Sequence, residues 1–380
     1  MIRLLIMLAL VASSLVSPHA PAQESAVRNA FDLAVPIRPI PVRVDGRWQI
    51  SYEVHLTNFS NDQLGITRVT VLDGQDGHVL ADLSGKALAD AIAILGAAPR
   101  NKGDAARVEP GQHAVVFLDF TVPTRSGAGS IQHRIGYTVA GAATNHTLLG
   151  DAVPLSDEVP SVIDPPLRGG PWVAIHNSAW PRGHRRVFYT VAGHARLPGR
   201  FAVDWVMIDE KGRTTAGDPD ITAETYGYGA DVLAVADATV AAVRDGMDEP
   251  PRLLPHTTHL PAEDAGNYVS LKLRDGRFAF YEHLRKGSIR VAVGDKVRTG
   301  DVIGSLGFSG ESTGPHLHFH VADSNSTLDA ESVPFEIRHF RRLGRYQDIS
   351  RLGTAWTPVP SDKVSVRLNE WPDVNDVVQF

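Results

Sequence analysis

The sequence contains no cysteine among its 380 residues. That absence excludes disulfide staples, thiol catalysis, cysteine zinc sites and iron–sulfur clusters. A bound metal would have to be held by histidine, aspartate or glutamate, and 16 histidines are present. There is no basic excess either: 37 lysines and arginines face 43 aspartates and glutamates, a formal net charge of −6. A nucleic-acid partner held by phosphate neutralisation is therefore not expected. Hydrophobic residues at 43% and charged residues at 21% are the balance of a chain with real cores. The length suffices for two or three domains.

The order of features along the chain predicts an exported two-domain protein. Arg3 precedes an apolar run from Leu4 to Ala12, and Ala20-Pro21-Ala22 supplies the small-x-small pattern read by signal peptidase. The run is shorter than the ~20 residues of a membrane span, so residues 1–22 are expected to be a cleaved signal peptide and the mature chain to be periplasmic or extracellular. Residues 30–150 read as an immunoglobulin-like β-sandwich. Trp48, Ile50, Tyr52, Val54 and Leu56 alternate with polar residues at period two, and Val116, Leu118, Phe120 and Val122 repeat the pattern. Ala87 to Leu95 is the one helix expected there. Prolines 154, 160, 165, 166 and 171, with Gly169-Gly170, mark 151–171 as a linker without regular structure. A second strand-rich domain is expected over 172–340, with a hairpin from Val269 through Asp275-Gly276 to His283. Residues 341–380 read as a mixed polar tail, and the basic run Arg338 to Arg345 as a solvated face.

The chemistry concentrates between Gly307 and Val321. His316, His318 and His320 alternate with Leu317, Phe319 and Val321, so one strand face carries three imidazoles and the other is apolar. Same-face neighbours lie roughly 6.5–7 Å apart, close enough for one imidazole to bind a metal while the next reaches a water beside it. The string Gly310-Glu311-Ser312-Thr313-Gly314 matches a serine-hydrolase elbow in letters only. Pro315 and a strand follow where that elbow needs a helix.

Ser312-Thr313-Gly314-Pro315-His316-Leu317-His318-Phe319 resembles the HxH signature of the lysostaphin-type (LytM-like) zinc metalloendopeptidases, which cut peptide bonds in bacterial peptidoglycan. Tyr226 to Asp237, Gly266-Asn267-Tyr268-Val269, Tyr281-Glu282-His283-Leu284 and Val293 to Gly304 match further pieces in the family's order, over about residues 200–322. The resemblance implies an all-β chain whose C-terminal half is an antiparallel β peptidase domain with a groove. It implies one Zn2+ held by Asp204 and His318, catalytic roles for His283 and His316, and peptidoglycan as partner. One position departs from the family. Arg200 stands where the first histidine ligand is expected, and a guanidinium cannot bind zinc. His184 and His194 both precede Asp204 within 20 residues, and His184 is the preferred third ligand. The rival to an active enzyme is a catalytically silent module of the same fold that binds cell wall or activates another hydrolase.

Overall fold

The computed structural model describes residues 30–95, 106–125, 129–142, 144–178, 180, 183–360 and 364–380. The expected signal segment 1–22 lies outside them. Among the described residues, no helix is long and apolar enough to cross a membrane.

The N-terminal half is a pair of antiparallel sheets with a shared core. One has the order Phe31–Ala34, Arg47–Asn58, His113–Val122, Ile92–Ile94. The other runs Asn145–Leu149, Ser130–Val139, Leu64–Asp73, Val79–Ser84. The alternation seen in sequence does the packing. Ile50, Tyr52, Val54 and Leu56 from one sheet meet Leu64, Ile66, Val69, Val71 and Ile135 from the other, all essentially out of water. Each such aliphatic side chain contributes roughly 1.5–3 kcal/mol of burial. The expected helix is shorter than its sequence suggested. Gly85–Ala91 is helical, but Ile92–Ile94 forms a strand against Ala114–Val116. The β-branched isoleucines fit a pleated surface better than a helix end.

The C-terminal half is organised around a larger sheet of thirteen strands among the described residues. Its working centre is the run Trp172–Ile175, Val203–Met207, Leu317–Ala322, Phe278–Leu284, Asn267–Lys272, Ala238–Arg244. The apolar face of Leu317, Phe319 and Val321 enters a core with Trp172, Trp205, Tyr281 and Phe335. The opposite face of the same strand carries His316, His318 and His320, all buried.

Two stretches differ from expectation. Ser161–Ile163, inside the proline-rich connection, is a short strand parallel to Phe335–Ile337. Val153–Pro154 also pairs, at the sheet edge, with Ser130 and Ile131, and the other prolines lie outside both short strands. The C-terminal stretch after 340 is not a detached tail. Val366–Glu370 and Asp376–Gln379 pair with Phe335–Arg345, and Asp376–Gln379 lies between that strand and Trp172–Ile175. The basic run is correspondingly engaged: Arg338 pairs with Asp164, Arg342 with Asp45 and Asp376, and Arg345 with Asp373 and Asp376.

Candidate metal centre

Three neighbouring strands set the floor of the site. Register pairs Asp204 with His318 on one side and Glu282 with His318 on the other. Directly opposed residues of adjacent strands share a face, so Asp204, His318 and Glu282 form a row across the sheet. His316 lies one same-face step along from His318.

His283 joins this face by an exception to strand geometry. Strict alternation would turn it away from Glu282's side. Its backbone instead takes the left-handed conformation, φ 61°, at a break in register between Asn267 and Val269. A non-glycine residue held there is strained, and such strain persists only where surroundings enforce it. The enforcement is visible. The His283 amide donates to Ala265 O at 3.0 Å, and its Nδ1 donates to Ser309 O at 2.8 Å. Gly266, φ 60°, lets that carbonyl approach, since a Cβ there would meet Ser309 O at 2.4 Å. The His283 ring then lies 4.8 Å from that of His316 and 5.7 Å from that of His318.

His184 arrives from a one-turn 3-10 segment, His184–Arg186. Its Nε2 bonds Asp204 Oδ2 at 2.7 Å, and His318 Nδ1 bonds Asp204 Oδ1 at 2.9 Å. His184, Asp204 and His318 each offer a donor atom, all within 4.8 Å of one another, and His283, His316 and His318 form a second such group. His316 Nδ1 donates to Gly314 O at 2.8 Å, which leaves Nε2 as the free nitrogen. That Nε2 is buried without a hydrogen-bond partner and stands 3.3 Å from Asp204 Oδ1. Two imidazoles and a carboxylate, half-buried as a group and with an orphaned imidazole nitrogen beside them, suit a zinc ion with an open position.

The electrostatics follow from burial and this crowding. Burial opposes ionisation of Asp204, but the facing imidazoles of His184 and His316 outweigh it and hold the carboxyl well below its ordinary range. Burial drives His283 well below the ordinary histidine value, helped by His316 and His318. Burial also opposes charging of His316, yet the Asp204 carboxylate carries it above the usual value.

Arg200 points away from the metal group. Its Nε bonds Glu53 Oε2 at 2.8 Å, and its Nη1 reaches Glu331 Oε2 at 2.8 Å. His194 lies exposed on the hairpin Tyr189–Val191/His194–Arg196 and belongs to no metal-capable group among the described residues. His320 is buried and stacked on Phe280, with ring centroids 4.8 Å apart. The sequence reading missed Glu282. Burial raises its carboxyl to about 8, with Arg244 pulling the other way, and its Oε2 lies 3.9 Å from His318 Nε2. Hairpin alternation puts Glu282 on a face with Phe280, but only register shows that His318 is opposite.

Residues 220–330 match peptidase family M23. That interval contains His283, His316 and His318 and stops short of His184 and Asp204. Lysostaphin of Staphylococcus simulans is 42% identical over 74 residues, covering 18% of this chain and 14% of lysostaphin. The peptidoglycan DD-endopeptidase ShyC of Vibrio cholerae is 39% identical over 54 residues, covering 14% of this chain and 12% of that protein. The chain thus spans less than a fifth of the length of either relative. Among solved structures, the lysostaphin catalytic domain of Staphylococcus simulans aligns at 21% identity and TM-score 0.24, covering 44% of this chain and 88% of that one.

Proposed function

We propose that this chain, whose residues 220–330 are a lysostaphin-type domain of peptidase family M23, is a zinc metalloendopeptidase that hydrolyses peptide bonds of bacterial cell-wall peptidoglycan. We further propose that it acts after export, in the periplasm or outside the cell, and that the N-terminal half is an immunoglobulin-like sandwich.

One observation carries the enzyme reading over the silent module. Arg200, in the position expected for a ligand, is turned into ion pairs elsewhere, while His184 meets Asp204 and His318 from another segment. Those three residues would hold the zinc, which supplies Lewis-acid polarisation of a carbonyl and acidification of water.

The remaining work belongs to the chain's own side chains. His283 and His316 each donate Nδ1–H to a backbone carbonyl, which leaves each Nε2 for the chemistry. One of the pair, neutral, accepts the proton of the attacking water at Nε2, and the other, carrying a second proton at Nε2, donates it in a hydrogen bond to the oxyanion of the tetrahedral intermediate. Glu282, buried beside His318 Nε2, sits where an outer carboxyl orients a ligating imidazole.

The test is elemental analysis of the purified chain with and without His318→Ala, joined to release of soluble peptides from purified peptidoglycan. About one zinc per chain is expected, with metal and hydrolysis both lost in the variant. A chain that takes up no zinc at neutral pH, or binds it without cutting any peptidoglycan, overturns the enzyme reading in favour of the binding module.

A further inference from the structure

His184 is followed by an arginine that is held by the other half of the molecule. Arg185 is buried, and its guanidinium donates to the sandwich from all three nitrogens. Nε bonds Glu53 Oε1 at 2.9 Å, and Nη1 bonds both oxygens of Asp119 at 2.7 Å. Nη2 bonds the carbonyls of Tyr52 and Leu118 at 2.8 and 3.0 Å. The second oxygen of Glu53 takes Arg200, four residues before Asp204. One buried carboxylate therefore joins the segments that carry two of the three metal-capable side chains.

Arg186 adds a second tie, Nε to Ser178 O at 2.9 Å and Nη2 to Asp90 O of the sandwich at 2.5 Å. Among the described residues, the backbone of the turn itself contributes Arg186 N to Gly183 O and Val187 N to His184 O, with no sheet ladder. It is pressed against residue 199, where a Cβ would meet His184 Cβ at 2.8 Å, so the close approach needs Gly199. A planar guanidinium whose Nε, Nη1 and Nη2 are each tied to different groups is fixed in orientation as well as distance. That is what a ligand on a short turn lacks.

We propose that Glu53 and Asp119 of the sandwich are positioning residues for the metal site, acting through Arg185 to set His184 against Asp204 and His318. The N-terminal half is then part of the metal centre's support rather than a separate module. In this chain the arginine that displaces a ligand also anchors the domain that delivers another. The proposal rests on reading His184, Asp204 and His318 as the metal set.

The test measures zinc affinity of the full chain by competition with a chromophoric chelator. Asp119→Asn is the lead variant, because Asp119 is partly exposed and Glu53 still faces Arg185. It is expected to weaken zinc binding 10- to 100-fold, the usual cost of losing an outer-shell support, with one zinc still bound at saturation and an unchanged circular dichroism spectrum. Arg185→Lys, which keeps the charge but loses the fork, is expected to shift affinity the same way and guards against a misfolded lead variant. Arg277→Ala, whose arginine ties down Glu158 and Val159, is expected to leave affinity unchanged. In a His184→Ala background, Asp119→Asn is expected to cost less than about 2-fold more, because the ligand it positions is gone. Wild-type affinity in both folded support variants, or an equal further loss without His184, overturns the proposal. If His184→Ala itself binds zinc as tightly as the parent, the metal set is wrong, and the proposal falls with its premise.

Discussion

In the sandwich, histidines are spent on local partners. His133 bonds the Tyr52 hydroxyl at 2.8 Å, and His55 bonds His113 at 2.9 Å, each pair between strands of one half. In the C-terminal sheet, His184, His316 and His318 meet a single carboxylate, and His283 is held in a left-handed conformation beside them. Both halves are antiparallel β with alternating faces, so strand periodicity alone does not make a site. Convergence of three imidazoles on one acid, and backbone strain enforced at a fourth histidine, separate the second case from the first.

Removing either imidazole proposed as catalytic tests that contrast most severely. His283→Ala and His316→Ala are each expected to lower the rate of peptidoglycan hydrolysis by about 10²–10⁴-fold while leaving one zinc per chain. Loss of the metal in either variant would make that histidine a ligand instead. At the boundary between the halves, Arg200→His would restore the family's letter without restoring a ligand. It removes a buried guanidinium from Glu53 and Glu331, and breaking one side of such a pair typically costs about 3–5 kcal/mol. The expected result is a lower denaturation midpoint with no gain in zinc affinity, and tighter zinc binding would show that position 200 faces the metal after all.

The smallest effect belongs to the sandwich. Burial lowers His133 to about 4 from an ordinary 6.5, so the folded state keeps it neutral where the unfolded chain is already protonated. Stability is therefore lost as pH falls from about 6.5 towards 4, by at most about 3 kcal/mol. Urea unfolding at both ends of that interval is expected to show the wild-type sandwich losing more than a His133→Gln variant. Equal losses would mean that another group governs its acid sensitivity.

Much of this arrangement could be read before any coordinates. The three-imidazole face, its apolar back, the hairpin ending at His283 and the alternating strands of the N-terminal half all come from side-chain period, which is local. Other features were not legible. His283's placement depends on a left-handed residue that no alternation rule anticipates, and Glu282's role depends on which strand lies beside it. The strand at Ser161–Ile163 and the C-terminal pairings were hidden because three to five residues carry too little pattern to announce a partner. Arg200 looked like a defect in the site. In the structure it is a strut, because Glu53, 147 residues away, supplies its counter-charge.

What the sequence determined by itself was the inventory: no thiol chemistry, histidine and carboxylate as the only metal donors, and the strand that presents them. Tertiary structure decided which of His184 and His194 stands near Asp204 and where Arg200 turns. The reason is physical. A residue's face along a strand is set by its neighbours in the chain, whereas distances across strands and between domains are set by register and by buried ion pairs formed over long separations.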